Sequence, residues 1–370
     1  MRGRPGLVTA YQRDMAIFPT NTQRVWFVMA SVAMVLLTFF LSDDLALRGA
    51  SAAAAAIGAI GLNLVTGWAG QISLGHAFFL GVGAYTAAAL GGESGGPLIG
   101  LGLEMWIWLP AAGVVAAVAG VVVAPIATRL RGLYLAFVTL GLVFIGEHIF
   151  REWDSLTGGI GVGRSAAKPI LFGYDLSREG SFLGFTLSAE RQYMLFALLV
   201  LLIMGLLAKN LVRGRIGRAF SAIRDRDIAA EIMGINLANH KLIAFTVSSF
   251  YAGIAGALLW TFVGFVEPRS FGLTLSIVYI AMILIGGAAS IMGSIMGAVF
   301  ITFLPRIVDL LAKYLPLIED SPSGGFLNVV QVEQILFGLL IVVFLIVEPL
   351  GLYGIWIRIR NYWKAWPFSY

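Results

Sequence analysis

The chain has 370 residues, of which 59% are hydrophobic and only 12% are charged, and its mean hydropathy is +0.89. Soluble domains carry roughly 25% charged residues, so this composition excludes a soluble globular protein and indicates an integral membrane protein with many spans. The sequence contains no cysteine, which excludes disulfides, thiolate metal sites and a cysteine nucleophile.

Ten apolar runs are long enough, or nearly so, to cross a hydrocarbon core that requires about 20 helical residues. They lie at residues 25–41, 45–66, 71–91, 105–127, 133–150, 191–208, 240–263, 271–287, 291–311 and 329–347. We therefore expect an all-α integral membrane protein, a polytopic bundle of about ten transmembrane helices within residues 25–350.

Both ends of the chain are polar. Residues 1–24 contain four arginines, and this segment is too long for the n-region of a signal peptide and has no convincing cleavage site after it. We therefore expect a retained first span, with residues 1–24 and 351–370 as terminal tails and no soluble domain attached at either end.

The distribution of charge predicts the orientation in the membrane. If both termini are cytoplasmic, sixteen of the 25 basic residues and only five of the 20 acidic residues lie on the cytoplasmic side, in agreement with the positive-inside rule. Residues 151–190 then form an extracytoplasmic loop and residues 209–240 a cytoplasmic one. The basic residues are spread over several loops without interleaved aromatics, so no nucleic-acid partner is expected.

The cytoplasmic loop contains the charged stretch "SAIRDRDIAAEIMGIN" at 221–236. Residues 209–241 carry ten charges, and placing them at a bilayer centre would cost on the order of 30 kcal/mol, so they cannot form a span. Asp227 is predicted to cap a short helix over 228–233, which Gly234 ends in the left-handed conformation. Two interpretations remain open: a solvated helix that anchors a loop, or a rigid helix presented to a cytoplasmic partner.

A second stretch combines glycines with uncharged polar side chains inside an apolar run. It is "GLNLVTGWAGQISLGHAFFLGVGAYTAA" at 61–88, with Asn63, Gln71, Ser73 and His76 embedded in it. Such residues are typical of a translocation path built from broken helices, and close helix packing is the alternative. The run at 283–300 repeats the glycine pattern without amides, so there packing is the preferred interpretation.

The sequence offers little support for catalysis. The three histidines, at 76, 148 and 240, are far apart, and no glycine-rich loop ends in Gly-Lys-Ser/Thr to hold ATP phosphates. The carboxylates Glu147 and Glu333 lie near predicted span ends, whereas a proton-coupled carrier requires them near the midplane. We expect no catalytic residue, no metal site, no cofactor and an energy source outside this chain.

Five blocks in chain order resemble one family. They are the 61–88 stretch, "RLRGLYLAFVTLG" at 129–141, "WDSLTGG" from residue 153, "GRAFSAIRDRDIAAEIMGINLANHKLIAF" at 217–245 and "GGAASIMGSIMGA" at 286–298. Together they resemble the LivM-type permease of branched-chain amino-acid ABC importers over about residues 55–350. The block at 217–245 is the most specific.

The resemblance implies that the charged stretch is a coupling helix that docks on an ATP-hydrolysing subunit. The general importer motif is Glu-Ala-Ala, three residues, then Gly; Ala229, Ala230 and Gly234 fit it, whereas Ile228 replaces the glutamate. The two alanines would permit close approach. The candidate coupling residues are Arg224, Asp225, Asp227, Ala229, Ala230, Glu231 and Gly234, and the candidate path residues are Asn63, Gln71, Ser73, His76 and Thr139.

The resemblance also implies the partners and the location. Importers of this family combine two different permeases, LivM-type and LivH-type, with two ATP-binding subunits and an extracytoplasmic substrate-binding protein in the bacterial inner membrane. This chain would be a transport subunit, embedded in membrane lipid, that works by alternating access and has no ATPase site of its own.

The substrate is expected to be a branched-chain or other small amino acid. The same branch of permeases resembles transporters of urea, short amides and small carboxylates, which is the nearest alternative. A stand-alone secondary carrier and a membrane-embedded enzyme are the alternatives from other classes. A neighbouring ATPase gene would argue against both.

Overall fold

The computed structural model describes residues 17–18, 20–95, 98–130, 132–159, 161–182, 185–312, 318–319 and 327–365. The described chain is mostly helical. Residues 1–16 and 19 of the predicted N-terminal tail and residues 366–370 of the predicted C-terminal tail lie outside these residues. The helices are α1 (Asn21–Phe40), α2 (Asp43–Asn63), α3 (His76–Gly91), α4 (Met105–Arg129), α5 (Leu133–Glu152), α6 (Asp154–Thr157), α7 (Ala189–Arg213), α8 (Arg215–Ile232), α9 (Leu237–Val263), α10 (Leu273–Gly286), α11 (Ile291–Ala312), α12 (Val329–Val347) and α13 (Gly351–Ala365).

Within the described residues, seven helical segments are long and apolar enough to cross a membrane: those of α1, α2, α4, α5, α7, α9 and α11. Three shorter apolar helical segments, His76–Gly91, Leu273–Gly286 and Gln334–Phe344, fall in the remaining predicted runs. The prediction of a polytopic helical membrane protein is therefore confirmed. The run predicted at 71–91 differs in one respect, because its helix begins only at His76.

Helices α2 and α9 form the centre of the bundle, and small residues allow their neighbours to come close. A β-carbon at Gly83 of α3 would lie 2.2 Å from the carbonyl oxygen of Gly253 of α9, and one at Gly256 would lie 2.0 Å from that of Leu80. Lipid tails are as apolar as the helices, so helix association in a membrane depends on such close packing rather than on the hydrophobic effect. The periphery differs: Trp26 and Phe40 of α1 are exposed.

The segment between α5 and α7, predicted as an extracytoplasmic loop, folds into short strands. These are β1 (Arg164–Ser165), β2 (Ile170–Leu171), β3 (Tyr174–Asp175), β4 (Gly180–Phe182) and β5 (Phe185–Leu187). Strand β1 pairs antiparallel with β6 (Phe265–Val266), which follows α9, while β2 pairs with β3 and β4 with β5. Two further short strands, β7 (Ile318–Glu319) and β8 (Leu327–Asn328), pair in parallel before α12.

Arg164 ties this segment to the bundle. Its side chain is buried and donates hydrogen bonds to the carbonyl oxygens of Leu156, Ala88 and Ile99 at 2.7, 2.6 and 2.9 Å. Burial lowers the pKa of the guanidinium, although Arg remains charged near neutral pH. A cation paired with three carbonyl groups fixes the C-terminal end of α3 against the 153–166 segment.

Candidate functional site

The centre of the site is a break between α2 and α3. Helix α2 ends in a π-helical turn, Leu64–Trp68, and Gly70 follows with a left-handed φ of +68°. Val65 accepts a hydrogen bond from the backbone N–H of Gln71 at 2.9 Å, and Thr66 donates its hydroxyl to the carbonyl of Gln71 at 3.1 Å. Unpaired backbone is costly in an apolar region, so these bonds permit the chain to leave the helix there.

Two hydroxyl groups from other helices accept backbone hydrogen bonds at the beginning of α3. Thr139 of α5 accepts the N–H of Leu74 at 2.9 Å, and Ser276 of α10 accepts the N–H of Ala77 at 3.0 Å. Both hydroxyl residues are completely buried. The first N–H groups of a helix have no partner within the helix; α10 supplies one for Ala77, and α5 supplies one for Leu74, just before the N-cap Gly75. The position of the break therefore depends on both helices.

Asn63 joins this break to the connection between α10 and α11. Its amide nitrogen lies 3.3 and 3.1 Å from the carbonyl oxygens of Gly287 and Ser290 and 2.7 Å from the hydroxyl of Ser294. Its amide oxygen accepts the N–H of Ala289 at 2.8 Å. The side chain is completely buried. Because these contacts occupy its donors and one of its lone pairs, Asn63 holds two connections together rather than facing an open path.

The other predicted path residues lie around the same break. Ser73 accepts the N–H of Gly75 at 3.4 Å, a long bond. Gln71 and His76 are buried, and the ring of His76 lies 4.9 Å from that of Tyr279. Among the described residues, no hydrogen-bond partner is found for the Gln71 amide, for Nε2 of His76 or for the Tyr279 hydroxyl. Buried polar groups usually have partners, so these three side chains are the strongest candidates for contact with water or a substrate.

The charged stretch forms the second half of α8. The helix is interrupted at Arg226, whose φ of −157° and ψ of 98° are extended. The break therefore lies one residue before the predicted cap, and the Asp227 carboxylate accepts the neighbouring N–H of Ile228 at 2.8 Å. Gly234 has φ +86°, and Ile235 donates its N–H to the carbonyl of Ala230 at 3.0 Å. This left-handed glycine ends the helix as predicted.

The exposed face of this short helix differs from the predicted one. Ala230 is completely buried within the chain, so the expectation that it permits close approach by a partner is wrong. Ile228, Ile232 and Met233 are instead 63%, 82% and 70% exposed. Large apolar side chains grouped on an exposed surface are typical of protein contact sites. The sequence places Ile228 and Ile232 on one helix face, but none of these three residues is among the predicted coupling residues.

Helix α8 directly contacts the interrupted segment between α2 and α3, residues 64–75, which we call the broken segment. Arg224 donates from its guanidinium to the carbonyl oxygen of Gly67 at 3.1 Å and pairs with Asp225 at 3.0 Å. A β-carbon at Gly70 would lie 2.8 to 3.1 Å from side-chain and backbone atoms of Arg224, so the two segments are in close contact. The candidate coupling residue Arg224 therefore contacts the segment that lies between the candidate path residues Asn63 and Gln71.

A cavity of about 250 Å³ lies at this junction. The loop before α3 contributes Gly70 and Gln71, and α8 contributes residues 223–227. Leu130, Gly132, Leu135 and Lys241 complete its wall together with Ala69. The cavity therefore lies between α8 and the segment before α3, beside the Arg224 contact.

A polytopic helical bundle with uncharged polar side chains buried beside an interruption between two helices is an architecture found among membrane transporters. The chain belongs to the family described as "Branched-chain amino acid transport system / permease component", which matches residues 49–345. The family resemblance found in the sequence is thereby confirmed.

Named relatives agree with this family. The high-affinity branched-chain amino acid transport system permease protein LivM of Salmonella typhimurium is 36% identical over 254 residues, 65% of this chain and 58% of that protein. LivM of Escherichia coli has the same identity and coverage. LivH of Salmonella typhimurium is 26% identical over 302 residues, 80% of this chain and 90% of that protein. The chain thus spans less than three fifths of its LivM relatives, and no solved structure matches it.

Proposed function

We propose that this chain is a permease subunit of an ATP-driven ABC importer that moves branched-chain or other small amino acids inward. Membership of the permease family and the names of the LivM and LivH relatives support this function. The observation that carries it is the contact of Arg224 with the carbonyl of Gly67. Through this contact, a movement of the charged helix α8 is transmitted directly to the segment that contains Gly67.

The proposed topology has ten spans with both termini in the cytoplasm. The seven long apolar helical segments and the three shorter ones support the count, and the distribution of basic residues supports the orientation. Residues 151–190 then face outward, and the 209–240 segment, which contains α8, faces the cytoplasm. Residues 25–350 form the transmembrane domain, between tails at 1–24 and 351–370.

In the proposed mechanism, the exposed face formed by Ile228, Ile232 and Met233 docks on a separate ATP-hydrolysing subunit. Arg224, Asp225, Asp227, Ala229 and Glu231 surround this face, and Gly234 ends the helix. When the ATPase closes, α8 moves and Arg224 displaces the segment at 67–71. Because Thr139 and Ser276 hold the start of α3, the displacement changes access at Gln71 and His76, which produces alternating access.

The proposed assembly contains a second, LivH-type permease, two ATP-binding subunits and an extracytoplasmic substrate-binding protein in a bacterial inner membrane. The chain itself provides no ATPase site in this proposal. The missing P-loop sequence and the relatives, which are named as permeases, support this. Specificity would reside largely in the binding protein.

Reconstitution tests this function. The chain in liposomes with a LivH-type permease, the ATPase subunits and the binding protein is expected to accumulate labelled leucine when ATP is supplied. Uptake should persist after the proton gradient is collapsed, and the chain alone should neither hydrolyse ATP nor transport. Leucine uptake by the lone chain driven by a pH gradient would instead identify a secondary carrier.

A further inference from the structure

Helix α13 presents an apolar face that no described part of the chain covers. Five large side chains on this helix are 39% to 70% exposed. At 100° per residue they occupy an arc of about 120° centred on Ile359. They are Ile355, Trp356, Ile359, Tyr362 and Trp363. An aromatic and aliphatic arc of this kind is typical of a helix that lies along a membrane surface.

Arginines flank this arc on both sides. Arg358 lies about 40° beyond Tyr362, and Arg360 lies about 40° beyond Trp356 on the other edge. Residues 351–365 include no aspartate or glutamate. Side chains of tryptophan and tyrosine favour the headgroup level of a bilayer, and arginines beside them attract anionic headgroups. The charges therefore match a negatively charged lipid surface.

The chain fixes the direction in which α13 leaves α12. Glu348 is almost completely buried and pairs with Arg358. The N–H of Gly351, a left-handed glycine with φ +63°, donates to the carbonyl of Glu348 at 2.8 Å. A β-carbon at Gly287 would lie 2.7 Å from the carbonyl oxygen of Leu350. The start of α13 therefore packs against the α10–α11 connection, which Asn63 also holds.

We propose that α13 lies in the bilayer interface beside the end of α12, with its aromatic arc among the acyl chains and Arg360 on anionic phospholipid headgroups. The bound helix stabilises the α10–α11 connection through the contact at Gly287. The assignment of α13 to the cytoplasmic leaflet rests on the proposed topology.

Depth measurements on the full chain test this proposal, because the absence of native cysteine permits single labels. Ile359→Cys places a fluorophore at the centre of the arc, and Asn361→Cys, on the same helix, places it nearly opposite. In liposomes that contain phosphatidylglycerol, the label at 359 should be quenched by brominated acyl chains and protected from aqueous iodide. The label at 361 should behave in the opposite way.

The anionic component is tested with Arg360→Gln in the Ile359→Cys background. Removing one arginine should raise the ratio of undocked to docked helix about fivefold, and replacing phosphatidylglycerol by phosphatidylcholine should raise it further. No change in either experiment would overturn the role of anionic lipid.

Equal iodide quenching at 359 and 361 would overturn the interfacial helix. Protection at 359 that appears only after a partner subunit is added would assign the face to a protein and would also overturn the proposal. An impermeant thiol reagent that reaches Asn361→Cys only from the outer side, with the depth pattern intact, would support the interfacial helix and refute the proposed topology alone.

Discussion

Loss of the Arg224 guanidinium is expected to uncouple ATP hydrolysis from transport. In Arg224→Ala the carbonyl oxygen of Gly67 loses its partner at 3.1 Å, and the contact between α8 and the broken segment is weakened. A hydrogen bond from a charged donor contributes about 1.5–3 kcal/mol. The lower end applies here because the Arg224 side chain is 37% exposed. About 1.5 kcal/mol corresponds to roughly a tenfold loss in coupling.

The measured quantity is substrate transported per ATP hydrolysed in proteoliposomes that contain the complete importer. Arg226→Ala is the matched control. Arg226 lies two positions after Arg224, its side chain is exposed, and the substitution removes the same charge. Arg224→Ala should transport about tenfold less per ATP, Arg224→Lys should be intermediate, and the control should be nearly unchanged. Co-purification of the ATPase should be the same in all three. Equal transport per ATP for Arg224→Ala and Arg226→Ala would refute the proposed route.

Three further predictions concern topology, docking and the central connection. Ala238→Cys and Ser165→Cys, both at exposed positions, should react with an impermeant thiol reagent from opposite sides of the membrane; reaction from the same side contradicts the ten-span topology. Ile232→Asp should abolish ATPase co-purification with unchanged thermal stability of the isolated permease. In contrast, Ala230→Arg should destabilise the permease itself, because a charge would be buried; the reverse pattern would contradict the assigned face. Asn63→Ala removes four hydrogen bonds and should lower the unfolding free energy by about 2–4 kcal/mol, visible as a lower thermal midpoint, whereas an unchanged midpoint would show that the connection does not depend on it.

Hydropathy alone was sufficient to predict a polytopic helical membrane protein. The cost of exposing backbone or charge to hydrocarbon is large and local, so long uncharged runs can be read directly from the sequence. The helix end at Gly234 could also be predicted from the sequence alone. A helix stop needs only a residue that adopts positive φ cheaply, and the observed φ of +86° follows from the residue type.

The orientation of the short charged helix could be determined only from the folded chain. The sequence predicted that Ala229 and Ala230 together form a contact surface, but Ala230 is buried and Ile228 and Ile232 are exposed. Small apolar residues suit either environment. Which side of a helix faces its own subunit depends on where α8 packs, and the structure packs it against α7, α9 and the π-helical turn.

The roles of the polar residues inside the bundle also depended on tertiary contacts. Asn63 and Gln71 have the same amide group and lie eight positions apart, yet Asn63 is bonded to residues more than 220 positions away and Gln71 has no partner among the described residues. Composition and spacing identified both as unusual in an apolar run. Only the packing of α10, α11 and α8 around the break distinguished the residue that joins two connections from the one that faces the cavity, because hydrogen bonds are short and directional and depend on distant parts of the chain.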